Sequence, residues 1–138
     1  KFEKDLSSIF EKQGWKSAIC FFEYWGEDSF AGTHNFEKPM DLTLLDVNPY
    51  KKGFLAPDKF IEYFGDLDIA KLLYKGYVST ELFDQIKQST LPNMTYEGVV
   101  CKAMDNKVHT MFKIKSQAWL DKLKEYCNGN EALFAKLA

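Results

Sequence analysis

Two short runs on either side of an Asp-Asn pair constrain this chain more than anything else in it. Glu97-Gly-Val-Val-Cys-Lys102 precedes Asp105-Asn106, and Met111-Phe-Lys-Ile-Lys-Ser116 follows it. Val, Ile and Phe favour extended backbone and Asp-Asn favours a reversal, so the sequence predicts two neighbouring strands joined by a turn. Side chains alternate along a strand, which sends Met111, Lys113 and Lys115 one way and Phe112 and Ile114 the other. Two ammonium groups about 7 Å apart on the face turned from the core suit a polyphosphate. A carboxylate beside them, Glu97, suits a divalent metal or a hydroxyl. The plainer alternative is that Lys102, Lys113 and Lys115 line a solvated face, as surface lysines usually do, and that Glu97 simply ends a strand.

The bulk numbers narrow the class. The 138 residues are enough for one domain with a real core, and a 46% hydrophobic content with 16% aromatics opposes disorder. A net charge of −2 excludes a strongly basic nucleic-acid glove but leaves room for a local basic groove. Cys20, Cys101 and Cys127 are far apart, odd in number and without C-x-x-C spacing. That argues against a disulfide frame and against a zinc site, and it predicts buried thiols in a reducing, cytoplasmic setting. Two lone histidines give no metal pattern. No apolar run approaches ~18 residues and no signal peptide is visible, so no membrane association is expected.

In chain order, residues 1–13 read as an amphipathic helix with Phe2, Leu6, Ile9 and Phe10 on one face and Gly14 as its stop. Lys16 to Trp25 alternates with both faces apolar, which predicts a central strand. Glu23 interrupts it. It either needs something to bind it or sits near a strand end and reaches water. Residues 26–40 form a polar loop, and Leu42 to Val47 a second buried strand interrupted by Asp46. Pro57 opens a helix with Phe60, Ile61 and Phe64 inward, closed by Gly65. Ile69 to Tyr77 is a short helix or a strand, with Leu72 to Tyr74 the better strand. Ser79 or Thr80 caps a helix carrying Leu82, Phe83 and Ile86. After the two motif strands, Ser116 caps a helix with Trp119, Leu123, Tyr126 and Cys127. Asn130 then starts a short last helix. Repeats, linkers and low-complexity tracts are lacking, so the expectation is a single α+β domain over 1–138.

Four segments fall in an order that resembles a known family. Phe22-Glu-Tyr-Trp-Gly26, Leu42-Thr-Leu-Leu-Asp-Val47, Glu97-Gly-Val-Val-Cys-Lys102 and Lys113-Ile-Lys-Ser116 look like the later nucleotidyltransferase motifs of covalent ligases and capping enzymes. The wording is most similar to ATP-dependent RNA ligases of phage type. The resemblance implies a partial, ATP-grasp-like nucleotidyltransferase domain, with a mixed or antiparallel sheet and flanking helices. It implies that Glu23 contacts a ribose hydroxyl. Leu42 opens the strand that in relatives presents an aromatic to adenine. Glu97 holds Mg²⁺ or Mn²⁺, Lys102 lies near the phosphates, and Lys113 and Lys115 contact the α-phosphate as catalytic residues. ATP and 5′-phosphate RNA ends are the implied partners. DNA ligases and capping guanylyltransferases share these motifs, and a non-catalytic nucleotide- or RNA-binding half-domain is the other reading. The family's nucleophile lies in Lys-x-Asp-Gly, which this sequence lacks. Only 22 residues precede Glu23, too few for that motif at its usual spacing. The expectation is therefore the C-terminal portion of the domain, inactive without the half that carries the nucleophile.

Overall fold

The computed structural model describes residues 1–106 and 108–138. Among the described residues the chain is mixed α+β, with two small antiparallel sheets and five helices. The order is α1 (Glu3–Gln13), β1 (Ala18–Gly26), β2 (Met40–Pro49), α2 (Pro57–Phe64), α3 (Thr80–Lys87), β3 (Gly98–Asp105), β4 (Val108–Lys115), α4 (Gln117–Cys127) and α5 (Glu131–Leu137). These residues fall into two compact units, Lys1–Lys71 with Ala103–His109, and Leu72–Lys102 with Thr110–Ala138. No helix among the described residues is long and apolar enough to cross a membrane.

The first unit is built on the β1–β2 pair. α1 stops at Gly14, which takes the left-handed conformation at φ 65° and donates its N–H to Glu11 O. A residue without Cβ ends a helix this way at no steric cost. Phe2, Leu44, Val47, Phe60 and Phe64 form the core, with Leu6, Ile9, Phe10, Trp15, Cys20 and Leu42 packed around them. Between Phe21/Phe22 and their partners the register slips. Phe21 faces Asp46 and Phe22 faces Leu44, so Leu45 is the extra residue of a bulge on β2. Asp46 is buried at this irregularity.

β1 is not the central strand its composition suggests. Among the described residues it pairs with β2 alone, while β2 also meets Ile69 through a parallel bridge at Leu44, whose N–H donates to Asp68 O at 3.0 Å. β2 is thus the inner strand. Ile19, Phe21, Phe22, Tyr24 and Trp25 are all exposed, because a strand with one neighbour has too little surrounding chain to cover both faces. The expected strand at Leu72 to Tyr74 is absent as well. Only Ile69 makes a bridge, and Leu72 and Tyr74 are exposed with no strand beside them among the described residues. Lys1 fastens the start of the chain to this unit. Its ammonium donates to Asp41, to Asp68 at 2.5 Å and to Leu42 O at 2.9 Å. That hydrogen bond from Lys1 holds the Asp41 carboxyl below the usual range.

The second unit has three helices whose starts are capped by side chains. Ser79 Oγ accepts from Leu82 N–H, Ser116 Oγ from Trp119 N–H and Asn130 Oδ1 from Leu133 N–H. Each satisfies one of the orphan donors at a helix start. Leu82, Ile86 and Ile114 form a core with Val99 and Cys101 against it, and α4 buries Trp119, Leu123 and Cys127. Phe83 and Tyr126, expected inward, are exposed. A helix of 3.6 residues per turn cannot turn both Tyr126 and its neighbour Cys127 fully to one side, and the smaller thiol takes the buried position.

All three cysteines are free thiols, and burial pushes Cys20 and Cys101 above the ordinary thiol range. The thiolate is the reactive form, so both should alkylate more slowly than an exposed, unperturbed thiol at pH 7 and gain on it as pH rises. Mass-spectrometric counting of iodoacetamide adducts across a pH series checks this. A rapid reaction of either at pH 7 on the folded chain contradicts it.

Candidate functional site

The site grows from Gly98. Its φ of +133° lies where residues with a Cβ are strained, and a Cβ added there would stand 2.1 Å from Ile114 O and 2.9 Å from Lys115 Cα. The glycine lets β3 begin flush against the end of β4. Two further links hold the crossing. Ser116 N–H donates to Glu97 O at 2.9 Å, and Ser116 Oγ donates to Tyr96 O at 2.6 Å. Ser116 is fully buried and is also the cap of α4, so a single hydroxyl ties the start of β3 to the first turn of the helix. Tyr96 adds a third link, its hydroxyl donating to Ala118 O at 2.9 Å.

This fixed backbone brings three of the sequence-predicted residues together. Lys115 Nζ donates to Glu97 Oε1 at 2.5 Å, and Lys113 Nζ stands 3.8 Å from the same oxygen. The two lysines share the face that strand alternation gives them, and Glu97 lies between their ammonium groups and the start of β3. Their surroundings differ. Lys113 is open to solvent at 61% side-chain exposure, whereas Lys115 retains 13%. The expectation of two equivalent ammonium groups on a face turned from the core is corrected on this point. α4 starts two residues after Lys115 and carries the indole of Trp119 back against it, with Nζ 3.8 Å from the ring centroid. A cation that close to an aromatic face is attracted by the ring quadrupole.

The other predicted residues stand as follows. Lys102 is on β3 in this unit and partly buried. Glu23 and Leu42 belong to the first unit. Glu23 is exposed and faces Thr43 across the strand pair, so the desolvation argument for a bound partner does not hold there, since its carboxylate already meets water. Leu42 faces Tyr24 and packs against the core cluster, where its side chain helps close the first unit rather than offering an open apolar surface. Among the described residues, no group of three or more His, Cys, Asp or Glu side chains is placed to hold a metal ion. Glu97 as a metal ligand thus has ammonium neighbours and belongs to no such group among the described residues.

Sequence reasoning missed Trp119, Ser116 and Tyr96 as parts of this arrangement. Trp119 and Ser116 were legible only as a core residue and a helix cap. The available signal was spacing: a strand ending in Lys115, a Ser cap, and an aromatic in the first helical turn return the ring over the last strand residue. Comparison with known proteins leaves this geometry to speak for itself, as no protein family, no curated protein and no solved structure matches the chain.

Proposed function

We propose that this chain is the nucleotide-contacting part of an ATP-dependent RNA ligase of phage type, a C-terminal portion of an ATP-grasp-like nucleotidyltransferase domain. The observation that carries the reading is the convergence of Lys113 and Lys115 on the one carboxylate of Glu97 at the base of the β3–β4 hairpin. Two ammonium donors held on a rigid strand can take the oxygens of a phosphoryl group, and positioning with charge neutralisation is most of what phosphoryl transfer needs. Glu97, the carboxylate that accepts these ammoniums, serves a divalent cation once a nucleotide takes its place beside the lysines. Mg²⁺ commonly uses one or two carboxylates and completes its shell with phosphate oxygens and water, so Glu97 can serve it without a larger acidic cluster. Bound there, the ion would add further neutralisation of phosphate charge.

In this reading Lys102 lies at the lip of the phosphate site. RNA ends bearing a 5′-phosphate are the second substrate. The covalent Lys–AMP step requires a nucleophile that no Lys-x-Asp-Gly in this sequence supplies, so the chain by itself binds nucleotide without forming the adduct. The other reading is a half-domain that grips nucleotide or RNA ends without catalysis.

Isothermal titration of the 138-residue chain with ATP tests the binding part. Sealing assays on nicked RNA, nicked DNA and single-stranded RNA, with a segment carrying Lys-x-Asp-Gly added in trans or fused, test the catalytic part. Millimolar or tighter ATP binding is expected, and no binding at all would remove the reading. Sealing of DNA in preference to RNA would move it to the DNA ligases. ATP binding with no sealing in any arm would leave the non-catalytic half-domain.

A further inference from the structure

We propose that Trp119 is a positioning residue for Lys115, an assignment that rests on the proposed phosphate-contacting role of that lysine. Trp119 is 4% exposed and sits in the first turn of α4, so its ring cannot swing away without opening the helix start. Its backbone N–H donates to Ser116 Oγ at 3.1 Å, and that oxygen in turn donates to Tyr96 O. The backbone that carries the indole is thereby tied to the same crossing that presents Glu97, and burial holds the ring in place. The Lys115 ammonium lies 3.8 Å from the ring centroid on one side and 2.5 Å from the Glu97 carboxylate on another.

The two contacts do different things. A carboxylate competes directly with a phosphoryl group for the same N–H donors. A π face does not, because it attracts the charge without accepting a directional hydrogen bond of comparable strength. When an anionic ligand displaces Glu97, the ring still holds the ammonium. It removes most of the rotamer freedom that a four-carbon lysine stem would otherwise lose on binding. It also blocks one side of the ammonium, so the remaining donors point to the side where Glu97 now sits. A ligand is therefore met by a lysine already aimed. Lys113, at 61% exposure, keeps more of its freedom.

Two measurements on the full 138-residue chain test this. In the first, ¹H–¹³C spectra locate the Lys115 side-chain methylenes, which a ring at this distance shifts upfield. The shift is expected in the unsubstituted chain, reduced but present in Trp119→Phe, and absent in Trp119→Leu. Ordinary lysine positions in the unsubstituted chain overturn the proposal, whatever the variants do and whether or not the chain binds ATP. In the second, ATP affinity is measured for Trp119→Phe, Trp119→Leu, Lys115→Ala and the Trp119→Leu/Lys115→Ala pair. Trp119→Phe should bind within about threefold of the parent, and Trp119→Leu up to about tenfold more weakly, the size of the rotamer freedom that Lys115 must then lose on binding. In the Lys115→Ala background, Trp119→Leu should add nothing further. Equal losses in both backgrounds would show that Trp119 acts through the fold alone and would overturn the assignment. A parent chain with the upfield shift but no ATP affinity would instead remove the ligase reading and leave the contact standing.

Discussion

Gly98→Ala is expected to destabilise the second unit by about 3–5 kcal/mol, from a backbone strained at positive φ together with a forced displacement of packed neighbours. The added methyl meets Ile114 O at 2.1 Å, a backbone atom, so no side chain can rotate out of its way. Either β3 or β4 must move. Moving them stretches the Ser116 N–H to Glu97 O link and the Ser116 Oγ to Tyr96 O link together. Urea denaturation followed by far-UV circular dichroism measures the loss, and nucleotide affinity should fall with it because Glu97 and Lys115 part company. A loss of under about 1 kcal/mol, or the gain of about 0.4–1 kcal/mol that a Gly-to-Ala change gives where the backbone accepts alanine, would mean that the close crossing is absent in solution.

The second large effect concerns the lysines. Lys113→Ala/Lys115→Ala should lower metal-free ATP affinity by about 10²–10⁴-fold, since each hydrogen bond from a charged donor contributes about 1.5–3 kcal/mol. Glu97→Gln should go the other way. Without metal, removing the carboxylate charge frees Lys115 from its 2.5 Å partner, and ATP affinity should rise by about three- to tenfold. With Mg²⁺ present, the gain that the ion gives the parent chain should disappear, because an amide is a poorer ligand for a hard cation than a carboxylate. The gain without metal, together with the lost response to Mg²⁺, separates a competing carboxylate from one that merely stiffens the strand. If Glu97→Gln weakens metal-free binding, Glu97 is a structural brace for Lys115 and the phosphate site must be sought elsewhere.

Local grammar carried much of the fold. Gly14 ends α1, Ser79, Ser116 and Asn130 cap their helices, and Pro57 opens α2, each as its own chemistry requires. The hairpin turn after Asp105 and the sharing of one strand face by Lys113 and Lys115 followed from alternation. What stayed hidden depends on neighbours distant in sequence. The run from Ala18 to Gly26 reads as an interior strand because its residues are apolar on both faces, yet apolarity does not say how many strands lie beside it. Glu23 was judged by that mistaken burial. The extra residue Leu45 was invisible for a similar reason, because a bulge is a property of a pair of strands. Lys115 differs from Lys113 only because the helix that follows brings an indole against it, and strand periodicity contains no term for the next element. The convergence of Glu97 with both lysines was anticipated from spacing, while the ring that distinguishes them was not.

The open strand has a consequence for handling the chain. β1 runs Ala-Ile-Cys-Phe-Phe-Glu-Tyr-Trp-Gly, with no proline, strong extended-chain preference and five large apolar side chains in contact with water. Such a stretch is a template on which like segments stack into cross-β aggregates. Glu23 is the only charge within it, so the residue most readily dismissed as an ordinary surface carboxylate also acts as a gatekeeper, repelling the register in which identical strands would lie side by side.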